Sequence, residues 1–203
     1  MSLLDALKNR LGREVGKVAA QGLQSAAGKV TGAVGKALSP SKTVVLPCIP
    51  RNLEELKAMP QAGLKDEFEV AALCVAVLTN FLENEAATVE MLNFLQGPTP
   101  LSTTDREFIK ERLRGKIYKV FSYFEGTSPE NGYTPSEPYT IQVSSNPYSY
   151  PEEHRATLYL TSSGADSPRP VSLRRKPSTG QWFITQITFL SDVRVPAEQD
   201  PWK

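Results

Sequence analysis

Apolar residues in the first 45 positions recur at Leu4, Leu7, Leu11, Val15 and Val18, then at Leu23, Ala26, Val30, Val34 and Leu38. Steps of three and four dominate, which is the helical period. Arg10, Arg13 and Lys17 gather opposite the first part of the stripe, so the pattern predicts an amphipathic helix with a cationic face. A loose repeat, Val15-Gly16-Lys17-Val18, Ala27-Gly28-Lys29-Val30 and Val34-Gly35-Lys36-Ala37, continues it more weakly. Gly12, Gly16, Gly22, Gly28, Gly32 and Gly35 interrupt the segment. Each costs about 1 kcal/mol relative to alanine inside a helix. An isolated helix of this kind is unstable in water, so residues 1–45 read as a detached arm, helical only against a surface. Ser39-Pro40-Ser41 breaks the pattern, and Thr43-Val44-Val45-Leu46-Pro47 reads as a short extended lead-in.

Residues 46–203 read as one domain. Arg51–Lys57 is a short helix that stops at Met59-Pro60. Asp66 opens a longer one whose Phe68, Val70, Leu73, Val75, Val77, Leu78, Phe81 and Leu82 occupy most sides, the mark of a buried central helix. Thr88–Leu95, stopped by Gly97-Pro98, and a segment from Thr103 to Gly115 complete a helical region over about 51–114. From Ile117 the alternation becomes two-residue, and strands are predicted at 117–121, Tyr139–Val143, Thr157–Thr161, Val171–Arg175 and Trp182–Phe189. Lys176–Gln181 supplies the last hairpin connection. Helices first and antiparallel strands second predict an α+β fold, a helical layer packed on a C-terminal sheet.

Charge sharpens the division between arm and domain. Residues 1–45 hold seven basic and two acidic side chains, and the remainder holds 16 basic and 20 acidic ones. The overall +1 therefore conceals a basic arm on an acidic body, and such asymmetry points to an arm that meets an anionic target or the protein's own acidic body. Three readings of the arm stand: docking on a protein partner or self-association, contact with an anionic membrane surface, and a solubilising tail. The arm has no aromatic residue to anchor it at a lipid interface, which ranks docking ahead of lipid. Leu4, Leu7, Leu11, Val15 and Val18 would form the docking face.

The charged N-terminus does not read as a signal peptide, and no run approaches the roughly 20 apolar residues of a membrane span. The expected location is cytoplasmic, with peripheral membrane contact through the arm left open. Cys48 and Cys74 match no paired motif, and Cys74 sits in an apolar run as a reduced core residue.

Chemistry is sparse. His154 is the only histidine, flanked by Glu152, Glu153 and Arg155 where a solvated edge residue is expected. No metal site or cofactor is expected, and no phosphate loop, dinucleotide glycine pattern, nucleophile elbow or zinc-protease helix is present. Glu67, Glu69, Glu83 and Glu85 read as helix ends and solvated faces.

Two features stand out. In Ser162–Pro170, Asp166 and Arg169 lie three apart and lead into Leu173-Arg174-Arg175. Arg169 and Arg174 suit an anion. Alternatively, Asp166 caps the turn while Arg169 pairs with Asp192 or Asp200. All seven tyrosines follow residue 117, several in proline-rich loops, and Tyr123, Tyr133 and Tyr139 are candidates for ligand or partner contact. Their alternative role is to pin long loops onto the sheet. Nucleic acid is not expected as a partner, because the aromatics are not interleaved with a basic patch.

The combination Ser122-Tyr123-Phe124-x-Gly126, Asn131-Gly132-Tyr133-Thr134-Pro135, Pro138-Tyr139-Thr140-Ile141, Gly164–Arg169 with Leu173-Arg174, Asp192-Val193-Arg194-x-Pro196 and Asp200-Pro201-Trp202 resembles an uncharacterised bacterial domain of unknown function. That resemblance spans roughly residues 50–203 and implies a bacterial source and the arm-plus-domain division, with no activity attached. Trp182–Gln186, preceded by Leu173-Arg174-Arg175, is also similar to the last hairpin of nuclear-transport-factor-2-like domains. The functional expectation is a non-enzymatic interaction or assembly protein. Its alternative is a small-ligand binder or enzyme with a pocket between sheet and helices, using Arg169, Asp166 or Tyr123.

Overall fold

The computed structural model describes residues 40–202, and the predicted arm face from Leu4 to Val18 lies outside them. The compact unit that contains the domain begins at Pro40. Strand β1, Ser41–Leu46, comes first, followed by helices α1 (Leu53–Ala58), α2 (Glu67–Leu78), α3 (Glu85–Gln96) and α4 (Thr103–Leu113). A single helical turn, α5 (Tyr118–Phe121), precedes strands β2 (Tyr139–Ser144), β3 (Arg155–Leu160), β4 (Arg169–Lys176) and β5 (Gln181–Ile187). Short 3-10 turns occur at Pro60–Gly63, Pro129–Asn131 and Ala197–Gln199.

Helix starts follow from local chemistry. The side chains of Asn52, Asp66, Asn84 and Ser102 each accept a backbone N–H in the first turn of α1, α2, α3 and α4. These bonds satisfy donors that a helix cannot satisfy itself, each stabilising its helix by about 1 kcal/mol. Helix α2 is the core element. Every residue from Val70 to Leu78 is buried, so the helix has no polar face to present.

The five strands form one antiparallel sheet in chain order, β1-β2-β3-β4-β5. Val44, Leu46, Ile141, Val143, Leu158, Leu160, Val171, Leu173 and Ile184 are buried, while their neighbours along each strand are wholly or partly exposed. The two-residue period thus places one apolar face against α2 and leaves the other to solvent, as antiparallel sheets permit. The architecture is α+β, a helical layer on an antiparallel sheet.

Two local expectations are corrected. Residues 41–45, counted with the arm, belong to the sheet, because Ser41 to Leu46 pair with Ser144 to Tyr139. One strand therefore precedes the helices, and its alternate residues Val44 and Leu46 close the core. Of residues 117–121, expected to be a strand, Tyr118–Phe121 form α5 instead. Tyr118, Lys119 and Val120 are consecutively buried, which a strand with one wet face does not allow. Gly115, at φ 65°, reverses the chain just before this turn. The hairpin predicted at Lys176–Gln181 is present, joining β4 to β5. Among the described residues no helix is long and apolar enough to cross a membrane.

Candidate functional site

Four of the six candidate contact residues converge on one polar knot. Tyr123 is buried, donates its hydroxyl to the Phe189 carbonyl, and meets the Phe189 ring edge-on at 5.3 Å between centroids. Burial pushes its hydroxyl pKa well above the ordinary tyrosine value. Tyr133 is also buried, donates to the Arg194 carbonyl at 2.7 Å and stacks on Tyr118 at 5.9 Å. Asp166 pairs with Arg194 on the surface. Arg169 donates from Nη2 to the Asp192 carbonyl at 3.2 Å.

The expected roles of Asp166 and Arg169 in the turn thus change in both halves. It is the hydroxyl of Ser162 that accepts the Gly164 amide, at 3.2 Å, and Arg169 meets a carbonyl where a carboxylate was expected. Ser122 and Ser162 hydroxyls lie 2.8 Å apart, Thr127 and Ser163 hydroxyls 3.0 Å. Gly164 is packed so closely on Tyr133 that a Cβ there would lie 2.3 Å from the tyrosine oxygen. The motifs around 122–124, 131–135, 162–169 and 192–194 therefore tie four separate segments together. That is a structural clasp, since these groups spend most of their hydrogen bonds on one another, although Arg169 Nε is buried there without a hydrogen bond.

Tyr139 stands apart, half-buried and edge-on to Phe124 at 6.1 Å. It lines a shallow cavity of about 580 Å³ with Cys48, Glu55, Glu83 and Glu137. There Glu55 is committed to the Arg51 amide and the Asn52 side chain, both at 2.8 Å. Among the described residues no group of three or more His, Cys, Asp or Glu is placed to hold a metal ion. Cys74 is fully buried, and desolvation pushes its thiol far above the reactive range.

Arg174, the sixth candidate, leads to a different place. It is exposed opposite Phe183 on the outer face of the last hairpin, where two adjoining cavities of about 340 and 290 Å³ form a groove. The first is bounded by Pro98, Pro100, Arg174, Arg175, Lys176 and Phe183. The second is bounded by Leu101, Phe108, Ile109 and the 185–188 segment. Gln96, Asp105 and Thr185 line both. The wall beyond β5 is the connection after α3. Gly97, at φ 63°, turns that chain tightly against the Phe183 ring.

Strand β5 is an edge of the sheet. The amide of Trp182, near its start, donates to the Leu64 carbonyl at 2.7 Å. Beyond Trp182, no main-chain group from residue 183 to 187 bonds to main chain outside the sheet among the described residues. Thr185 also lacks a partner in β4, because Ser172 opposes Gln186 and Leu173 opposes Ile184. The side-chain oxygen of Gln96 is buried there without a hydrogen bond. Arg174, Arg175 and Lys176 are exposed and enter no ion pair among the described residues, so one end of the groove is cationic.

Sequence reasoning found Arg174 but missed Gln96, Phe108, Phe183 and the 185–188 segment. One signal was available. Ile109 and Leu113 form the buried pair of α4 at i and i+4, and Phe108 falls outside that stripe. The structure leaves Phe108 exposed, its ring 5.2 Å from the Arg112 guanidinium carbon.

No curated protein and no solved structure matches the chain in comparison. A family model does match, over residues 48–197, a span that holds every segment of the polar knot and the whole β5 groove. The chain accordingly belongs to the family described as Domain of unknown function (DUF6935).

Proposed function

We propose that the protein is a non-enzymatic interaction protein whose domain docks a partner in the groove beside β5, with residues 1–39 supplying a second contact. The observation that carries this is the coincidence of an unpartnered sheet edge, an apolar wall and a free cationic rim in one concavity. Interaction surfaces combine such a buried apolar centre with a polar margin. A small-ligand site between sheet and helices draws less support. That space is filled by α2, Tyr123 and Asp166 are bonded within the protein, and Arg169, whose buried Nε has no partner, spends its Nη2 on the Asp192 carbonyl.

The groove is tested by panning the full-length chain against a random peptide display library. Enriched peptides are expected to bind the Thr185→Trp variant at least tenfold more weakly, while Thr43→Trp, at the opposite edge, leaves binding unchanged. Peptides that ignore Thr185→Trp, or no enrichment at all, would overturn the groove.

The role of the arm rests on its helical period and net positive charge. Replacing Leu7 and Leu11 by Asp in the full chain is expected to abolish self-association in sedimentation, or flotation with vesicles containing anionic lipid. A wild-type chain that neither self-associates nor floats, or a variant that behaves like wild type, would leave only the solubilising tail.

A further inference from the structure

We infer that the occupant of the β5 groove is an acidic, extended segment of a partner protein that adds to the sheet as a sixth strand; this rests on the groove being the docking site. Three observations specify it. The first concerns the backbone. An open antiparallel edge offers unsatisfied N–H and C=O groups at strand spacing, and a guest strand satisfies them without any special side chain. The accessible stretch, residues 185–188, spans about 13 Å, which sets a guest of about four residues. Gln96 lines both cavities, so the two form one continuous path for the guest.

The second is charge. Arg174, Arg175 and Lys176 line one end of the groove and enter no ion pair among the described residues; Asp105, bonded to the Ser102 hydroxyl at 2.5 Å, is the one carboxylate in the lining and leaves it net positive. An acidic side chain on the guest relieves repulsion among three adjacent cations, which a basic guest would increase. Alternation along a strand sends one set of guest side chains toward Leu101, Phe108 and Ile109 and the other toward solvent or the cationic rim.

The third is the contrast between the two sheet edges. At β1 the Val45 carbonyl accepts from the Gln61 side chain at 3.0 Å, and Lys42 sits on the strand, bridging Asp66 and Glu69. An edge lysine and a covering side chain are standard means of preventing strand addition. The β5 edge past Trp182 has neither, and the device it does carry is the irregularity at Thr185. Its irregularity at Thr185 raises local twist, which disfavours a long flat pairing between two copies and suits a short guest.

The probe is a synthetic hexapeptide that alternates valine with glutamate, compared with its lysine counterpart and with a version N-methylated at alternate residues. Hydrogen exchange of the full-length chain is read at 185–188. The glutamate peptide is expected to slow exchange there at least tenfold, the lysine peptide to leave it unchanged, and N-methylation to abolish the effect. Arg174→Glu with Arg175→Glu should reverse the charge preference. If library peptides bind in a Thr185-dependent way but N-methylation is harmless and exchange is unaltered, strand addition is wrong while groove docking stands. If neither library nor synthetic peptides bind, docking fails as well. If exchange slows with chain concentration alone and sedimentation shows a dimer, the occupant is a second copy and the acidic partner is overturned.

Discussion

Asp192→Asn is expected to destabilise the domain by about 2–4 kcal/mol, more than Lys119→Met, although Asp192 is the exposed partner. Lys119 lies in α5 with only 2% of its side chain accessible, and its Nζ meets Asp192 Oδ1 at 2.7 Å. Asp192 itself is 71% accessible and is shared with Lys116 at 3.6 Å. Removing the carboxylate strands an ammonium group in a buried site with no counter-charge, and that uncompensated burial of charge causes most of the loss. Removing the lysine instead leaves a carboxylate that water can solvate, and methionine keeps most of the buried stem. The lower part of the range applies because Asp192 is so exposed. Urea unfolding of both single variants and the double variant checks the order. The double variant should resemble Lys119→Met alone, and Lys119→Met costing as much as Asp192→Asn would contradict this explanation.

The same pair predicts an acid limb. The hydrogen bond from Lys119, then its charge, holds the Asp192 carboxyl below the ordinary aspartate value of 3.8. A depressed native pKa contributes stability that is complete above the unfolded value and is lost as pH falls through the native one. Stability should therefore decline below about pH 4 in the wild type, and less steeply in Asp192→Asn.

Gly97→Ala should cost about 2–4 kcal/mol, from two sources that can be separated. At φ 63° and ψ −117° the residue occupies backbone space that only glycine enters freely. A Cβ would also stand 2.4 Å from two carbons of the Phe183 ring. Phe183→Ala in the same chain removes the clash but not the backbone strain, so part of the loss should remain. The midpoint of thermal unfolding is expected to fall by about 5–12 °C in Gly97→Ala. Because Gly97 and Phe183 share the groove wall, the variant should also weaken the binding of library peptides at temperatures below its unfolding transition. A Gly97→Ala chain with wild-type stability would show that this contact yields easily.

Much of the helical layer was legible because its causes are local. Asp66 ahead of an unbroken apolar run announces both the start of α2 and its burial, and Thr103-Thr104-Asp105 announces the start of α4, although its capping residue is Ser102. Strands β2 to β5 were legible from alternation. Residues 117–121 misled because Ile117, Lys119 and Phe121 alternate with Tyr118 and Val120 in a five-residue window, too short to separate one helical turn from a strand. The burial of Lys119 was not legible, because nothing near it in the chain reveals Asp192, which arrives from 73 positions later.

The candidate site divides along the same line. Arg174 and the two cations after it could be read directly, as could the clasp motifs, though their meaning as contact or as clasp could not. By itself the sequence determined where helices begin, which strand faces are apolar, and that the segment before the domain differs in charge and period. Those properties depend on residues within a few positions of one another. The tertiary structure decided that β5 is an edge, that Gly97–Leu101 forms the wall beside it, and that Tyr123 and Tyr133 point inward. Each of these depends on which distant segments meet, and strand order and packing are set by the whole core rather than by any local stretch of chain.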